Sequence, residues 1–153
     1  MGSRTRTMKK IALRILIPVV ILAALIQVYP VNRKNPPVTQ DVDAPANVAT
    51  ILRTSCYDCH SNKTRWPLYS YIAPVSWLVA ADVRKGRLVL NFSRWDTYTK
   101  ARQDTMRDRC YALASASLMP LPNYLLIHKD ARLDSIEIEA LRRWSLAQNE
   151  LHN

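Results

Sequence analysis

The stretch Cys56-Tyr57-Asp58-Cys59-His60 places two thiols three residues apart and an imidazole directly after the second thiol. Thiols at this spacing can each bond one vinyl group of a haem, while the adjacent His ligates the iron. The stretch therefore predicts one covalently attached haem c, bonded through Cys56 and Cys59, with His60 as the proximal iron ligand.

Two other sites use paired cysteines, namely a redox dithiol and half of a zinc site. The first is expected in a thioredoxin-like βαβ context, and the second needs a further Cys or His pair at short spacing. Neither accompanies the motif, because the later candidates Cys110, His128 and His152 stand singly. Haem attachment is the favoured interpretation.

The N-terminal part of the chain predicts a membrane anchor. Residues 1–10 carry four basic side chains and no acid, and residues 11–29 are apolar apart from Arg14 and Gln27. Nineteen residues make a helix of about 28 Å, close to the hydrocarbon thickness of a bilayer. The stem of Arg14 can extend back to the headgroups. Residues 1–10 are expected to be cytoplasmic and residues 11–29 to be a transmembrane signal-anchor.

A cleaved signal peptide is the alternative to an anchor. A signal-peptide cleavage site needs small residues at the first and third positions before the cut. Ala23 and Ala24 do not meet this requirement, because they are adjacent and are followed by Leu25 and Ile26. The basic excess before the span places the N-terminus inside and residue 31 onward outside. In a bacterium this predicts a single-pass inner-membrane protein whose haem domain lies in the periplasm.

The chain is basic, with a formal net charge of +10. Removing the five basic residues at positions 4, 6, 9, 10 and 14 from the total of 22 leaves 17 Lys and Arg against 12 Asp and Glu, or +5, downstream of the span. A membrane anchor argues against nucleic acid as partner and favours an acidic redox partner protein or an anionic lipid surface. A solvated basic face without a partner fits the same charge.

The remaining segments predict a linker followed by an all-α domain. Residues 30–42 contain three prolines and form the linker, and residues 43–150 form the haem-binding domain. Asp43 can cap a helix that tolerates Pro45 in its first turn, and one face of that helix is apolar at Val48, Ile51, Leu52 and Ser55.

Three more helices follow from the pattern. One carries Ile72, Val75, Val79 and Val83 with Gly86 near its end, and the next spans about residues 97–117 with an apolar face of Tyr98, Ala101, Met106 and Leu113. The last has Asp134 as N-cap, Glu137 in a capping box and a staple of Leu133 with Ile138, and it buries Leu141 and Trp144. No segment alternates with period two for long enough to predict a sheet.

The second axial ligand must come from a distant part of the chain. Met119 precedes Pro120 and Pro122, and prolines hold a loop rigid so that a thioether, a soft iron ligand, can be presented. His128 is the rival ligand. A Met in a loop usually serves only in packing, but the presence of the haem motif favours Met119 as the second axial ligand. A loop carbonyl near Pro67 is the expected acceptor for the second ring nitrogen of His60.

Taken together, these features resemble the small monohaem c-type cytochromes of class I. The resemblance is closer to the membrane-anchored bacterial haem-binding domain family, in which an anchor precedes a Cys-Tyr-x-Cys-His-Ser-Asn segment. Here that segment is Cys56 to Asn62, and further matches occur at residues 64–67, 69–77 and 90–93, at Met119-Pro120 and at Leu133. The resemblance covers roughly residues 43–146. It implies covalent haem with His60 and Met119 as axial ligands.

Two functions remain open, and neither is enzymatic, because no acid/base or nucleophile grouping stands out. The first is one-electron transfer with both axial ligands retained. The second is a haem-based redox or gas sensor in which the distal ligand is displaced. Cys110 departs from the resemblance, and it is either a buried small residue or an intermolecular link.

Overall fold

The structure is a computed structural model that describes residues 2–147, with side chains described from Met8. These residues form seven α-helices and no β-strand, so the all-α prediction is confirmed. The helices are α1 (Gly2–Gln27), α2 (Ala46–Ser55), α3 (Tyr57–His60), α4 (Val75–Val89), α5 (Lys100–Ser115), α6 (Pro122–Leu125) and α7 (Ser135–Leu146). Short 3-10 helices occur at Leu68–Tyr71, Trp95–Thr97 and Lys129–Ala131. The predicted end of the domain at residue 150 lies outside the described residues.

The chain divides into two compact units. The first contains the N-terminal segment through Arg33 together with Pro67–Ala81, and the second contains Lys34–Trp66 together with the chain from Asp82 onward. Within the first unit, Met8–Gln27 has a mean hydropathy of 2.1 and none of this span is buried. A buried core helix is thereby excluded. The helix is long and apolar enough to cross a membrane, which fits the predicted anchor with slightly different bounds.

The core of the second unit lies where α2 and α5 pack against α7 and the loop after α4. Its large members are Val48, Ile51, Leu52, Tyr57, Phe92, Trp95, Met106, Leu141 and Trp144. The predicted buried face of α2 is confirmed at all four positions. Its predicted cap is wrong. Pro45 keeps an extended backbone with ψ of 149° and is itself the N-cap residue, so the helix begins at Ala46, beyond the reach of an Asp43 cap.

The predicted helix over residues 97–117 is shorter in the structure, and within the helix its predicted apolar face is buried at Met106 but not at Ala101 or Leu113. Thr99 is its N-cap, so Tyr98 precedes the helix, and Leu113 is largely exposed. The buried side is formed by Met106, Cys110 and Ala114, which recur every fourth residue. Arg107 is also buried on α5. Its guanidinium lies 5.6 Å from the Trp95 ring and 5.5 Å from the Trp144 ring, and it pairs with Asp104 at 2.9 Å.

The predicted start of the last helix is confirmed in detail. Asp134 Oδ1 accepts a hydrogen bond from the Glu137 backbone N–H at 2.8 Å, and Glu137 Oε2 accepts from the Asp134 N–H at 3.0 Å. This reciprocal pair satisfies two donors that a helix N-terminus leaves open. The predicted burial of Leu141 and Trp144 is also confirmed.

The predicted linker is extended, but much of it is hydrogen-bonded within the second unit. Thr39 and Val42 donate their N–H groups to the carbonyls of Ser93 and Phe92, and Gln40 accepts from Trp95. Arg87 donates to the Lys34 carbonyl and to the Asn35 side chain. Residues 34–42 therefore belong to the domain rather than to a free tether.

Candidate haem site

Both thiols and the imidazole of the motif lie on one tight turn. The Cys56 N–H donates to the Leu52 carbonyl, which continues the hydrogen bonding of α2. The Cys56 carbonyl then accepts from the N–H groups of Cys59 at 3.2 Å and His60 at 2.9 Å. The packing of α2 thus sets the position of the three groups that the sequence analysis singled out.

Neither motif thiol forms a disulfide, and both lie half-buried. Burial, with a smaller effect of the Cys59 charge, raises the pKa of Cys56 to about 12. Burial and then the carboxylates of Asp82 and Asp58 raise the pKa of Cys59 to about 11. Both thiols are therefore neutral near pH 7. Redox dithiols and zinc sites use thiolates, and no group of three His, Cys, Asp or Glu side chains suited to a metal occurs among the described residues.

The His60 ring is held through Nδ1 by two backbone carbonyls at the end of α4. Nδ1 lies 3.1 Å from the Gly86 oxygen and 3.2 Å from the Leu90 oxygen. Because a carbonyl only accepts, Nδ1 must carry the proton, which leaves the Nε2 lone pair for a metal. Burial lowers the pKa of His60 and so favours the neutral ring, although the two carbonyl bonds oppose the shift.

These acceptors correct the expectation that a carbonyl near Pro67 would serve. They stand 26 and 30 residues after His60, so local sequence gave no indication of them. The expectation that Gly86 lies near the end of a helix is confirmed, since it lies in the last turn of α4. A Cβ built on Gly86 would lie 2.6 Å from the Cys59 oxygen. Only a glycine lets α4 approach the motif closely enough for these bonds.

The loop after α4 covers the other side of the motif. Phe92 is fully buried, stacks on Tyr57 with ring centroids 5.4 Å apart, and donates its N–H to the His60 carbonyl at 2.8 Å. Asn91 donates to the Asn62 side chain at 2.8 Å and accepts from Ser93 N–H. The sequence analysis noted residues 90–93 only as part of the family resemblance, and the structure shows that they support the motif.

Asp58, between the two cysteines, joins the motif to a distant segment. Its Oδ1 accepts from the backbone N–H of Arg65 at 3.1 Å, and its Oδ2 accepts from the Tyr124 hydroxyl at 2.8 Å. Burial and this bond raise the pKa of Tyr124, so the phenol stays protonated. Tyr124 is a supporting residue that sequence reasoning missed. Its position shortly after Met119 was the available signal.

The two candidate distal ligands precede and follow Tyr124 in the sequence. Met119 is half-buried in the turn between α5 and α6, and its N–H donates to the Leu113 carbonyl at 3.2 Å. His128 is half-buried and stacks face to face on Tyr124, with ring centroids 4.2 Å apart. The Tyr124–Asp58 bond thus connects the segment that contains both candidates to the motif.

The donor set fits a haem. Two neutral thiols and a neutral imidazole with a free Nε2 are the groups that covalent attachment and iron ligation need. Trp66 adds a buried indole Nε1–H that has no acceptor within the described part of the chain. A buried donor normally has a partner, and a haem carries two propionate carboxylates that accept hydrogen bonds.

An all-helical domain with this donor set defines a haem-binding protein. Residues 20–147, more than half of the chain, match the haem-binding domain family, and the chain belongs to that family. No curated protein and no solved structure matches the chain.

Proposed function

We propose that this protein is a membrane-anchored periplasmic monohaem c-type cytochrome that transfers single electrons. The observation that carries the proposal is the pairing of His60 Nδ1 with the Gly86 and Leu90 carbonyls, next to two unpaired thiols. This pairing fixes the tautomer in which Nε2 ligates a metal. A zinc site or a dithiol would also need thiolates, which the raised thiol pKa values disfavour.

Covalent attachment requires only chemistry that the two thiols can perform. If haem is bound, Cys56 and Cys59 would hold it through thioether bonds to its two vinyl groups, each thiol supplying one sulphur and one hydrogen. Cys56 and Cys59 can both supply this hydrogen because burial keeps them protonated. The turn places both thiols beside His60, so the three side chains would hold the same group.

Met119 is the proposed distal ligand. Its turn is anchored at one end to α5 through the Leu113 carbonyl and is linked to the motif through Tyr124 and Asp58. His128 is the weaker candidate because its ring is already stacked on Tyr124. A haem held by His60 and Met119 would supply reversible one-electron chemistry. The protein's role would be to hold both ligands in place.

Spectroscopy and potentiometry of the Met119→Ala holoprotein test this ligand. The variant should lose the weak near-infrared band that sulphur ligation gives ferric haem, and its reduction potential should fall, because a thioether ligand raises the potential of the haem. His128→Ala is the matched control and should keep the band. Loss of the band in His128→Ala instead of Met119→Ala would contradict the assignment.

Carbon monoxide distinguishes electron transfer from gas sensing. An electron carrier keeps both ligands in the ferrous state, so the reduced protein should bind carbon monoxide slowly and incompletely at neutral pH. Rapid stoichiometric binding would favour a sensor with a displaceable distal ligand.

The redox partners proposed here are proteins in or near the membrane. The downstream charge of +5, from 17 basic and 12 acidic residues, favours acidic partner surfaces. No catalytic activity is proposed, because the groups described around the motif serve to hold or support a haem rather than to form an acid/base or nucleophilic constellation.

A further inference from the structure

The segment Pro67–Leu78 of the first unit has an inverted polarity pattern. Its large apolar side chains are exposed, with Leu68 reaching 87% exposure, while Ser70 is fully buried and Ser76 almost so. The exposed set consists of Leu68, Tyr71, Ile72, Val75, Trp77 and Leu78. Scattered apolar residues on a surface are ordinary, but six within one short segment above two buried serines are not. This arrangement is typical of a surface that meets lipid.

Charge supports the same conclusion. No charged residue occurs between Arg65 and Asp82, a stretch that includes this whole segment. The buried Ser70 hydroxyl donates to the Pro67 carbonyl at 2.6 Å, and the Ser76 N–H donates to the Ile72 carbonyl at 2.9 Å. These polar groups of the two buried serines are thus paired within the segment, while its exposed large side chains are apolar, as suits contact with a bilayer.

The segment is bound to the last residue of α1. The Gln27 side chain accepts from the Ala73 N–H at 2.9 Å and donates to the Ala73 carbonyl at 3.2 Å. Gln27 ends the apolar span Met8–Gln27, whose 20 residues give a helix of about 30 Å, the thickness of the hydrocarbon core. If α1 spans a membrane, these two hydrogen bonds hold Ala73 at the edge of the hydrocarbon core of the bilayer.

Aromatic and basic side chains surround this point. Tyr29 packs edge to face on Trp77 at 5.9 Å, and the Arg33 guanidinium lies 4.4 Å above the Tyr71 ring. Arg33 also donates to the Ser70 carbonyl at 3.2 Å. Trp and Tyr are enriched at the membrane–water interface, and Arg is favourable among lipid headgroups. The chemistry of this cluster matches that depth.

We propose that Pro67–Leu78 is a membrane-interface segment that inserts its exposed side chains among the lipid headgroups where α1 leaves the bilayer. The occupant of this surface is the phospholipid leaflet itself. The inference rests on the proposed membrane span of α1 and adds a second contact with the same leaflet, which the sequence analysis did not identify.

Site-directed spin labelling of the full-length holoprotein tests this segment. A Cys110→Ser background leaves no thiol to label if Cys56 and Cys59 are bonded to haem. Nitroxides are attached in turn at Leu68→Cys, at Ile136→Cys as a comparably exposed apolar control on α7, and at Leu16→Cys within α1. The proteins are placed in vesicles of phosphatidylethanolamine and phosphatidylglycerol.

The measurement compares relaxation by oxygen, which concentrates in lipid, with relaxation by a water-soluble nickel chelate. Labels at positions 68 and 16 should respond mainly to oxygen, and the label at 136 mainly to nickel. A label at 68 that responds mainly to nickel, with 16 still in lipid, would overturn this inference alone. A label at 68 shielded from both agents would replace lipid by a protein contact and would overturn it too. Nickel access at position 16 would overturn the anchor and, with it, the inference.

Discussion

At the scale of single residues, the motif and its supports differ in how far they could be predicted. Cys56, Cys59 and His60 are adjacent in sequence, so their spacing alone indicates haem. The acceptors of His60 and the Tyr124 bond to Asp58 join residues 26 to 66 positions apart. Such pairs depend on packing between elements, which a single sequence does not encode in any local pattern.

The thiols give a direct test of covalent attachment. If both Cys56 and Cys59 are bonded to haem, the denatured holoprotein should titrate one thiol, Cys110, and its haem should resist extraction with acidic acetone. In the native protein Cys110 should react slowly even above pH 8, because burial raises its pKa and keeps the thiolate fraction small. A count of three thiols with extractable haem would contradict the thioether bonds.

Gly86→Ala tests the close approach of α4. Alanine is the better helix former by about 1 kcal/mol, but its Cβ would meet the Cys59 carbonyl at 2.6 Å. The variant should therefore be destabilised, by about 1–3 kcal/mol as for other overpacked sites. Its reduction potential should also rise, because a weaker Nδ1 bond makes His60 a poorer electron donor to iron.

The exposed neighbour Lys85→Ala is the control for Gly86→Ala, since it changes the same helix without touching the motif. Urea unfolding gives the stability of each variant, and potentiometry gives the potential. Equal stability and potential in the two variants would show that Gly86 is not required for the close approach.

At the scale of elements, helices with local signals were predicted well and those governed by packing were not. The capping box of α7 and the buried face of α2 follow from residues within one or two turns. The face of α5 was assigned by apolarity, whereas the structure buries Arg107 between two indole rings. An arginine is normally exposed because of its charge. Contacts with aromatic rings and a carboxylate allow it to be buried instead.

Asp134→Ala measures the contribution of the capping box. The change removes the bond that the Glu137 N–H donates to the Asp134 side chain at the start of α7, a helix that packs on α5 and α2, and it leaves the backbone N–H of residue 134 as a donor to Glu137. Stability should fall by about 1 kcal/mol, the usual cost of losing an N-cap side chain. The exposed Ser135→Ala variant should be close to neutral in the same urea titration. An unchanged free energy of unfolding for Asp134→Ala would mean that water replaces the Asp134 side chain as acceptor without loss of stability.

At the scale of the whole molecule, the structure of the linker differs from the prediction. A flexible tether over residues 30–42 was predicted from its prolines, yet residues 34–42 are bonded to the loop after α4 and to Arg87. Prolines disfavour helix and strand but do not prevent an extended segment from pairing its backbone with a neighbour.

Cell fractionation tests the proposed anchor. The full-length protein should sediment with membranes and resist extraction at alkaline pH, because α1 is held by apolar contact with lipid rather than by charge. Removing residues 2–29 and exporting the rest with a cleavable signal should release a soluble holoprotein with the same visible spectrum. A soluble full-length protein whose N-terminus begins near residue 30 would instead identify a cleaved signal peptide.

The bond between His60 and the Gly86 carbonyl also yields a pattern that can be sought in other chains. A Cys-x-x-Cys-His motif followed by glycine 26 residues after the histidine marks this way of holding the ring. A bulky residue at that position would push the helix away from the motif. A chain with such a substitution should then orient its histidine through a different acceptor, and its iron should differ in potential even where every ligand is the same.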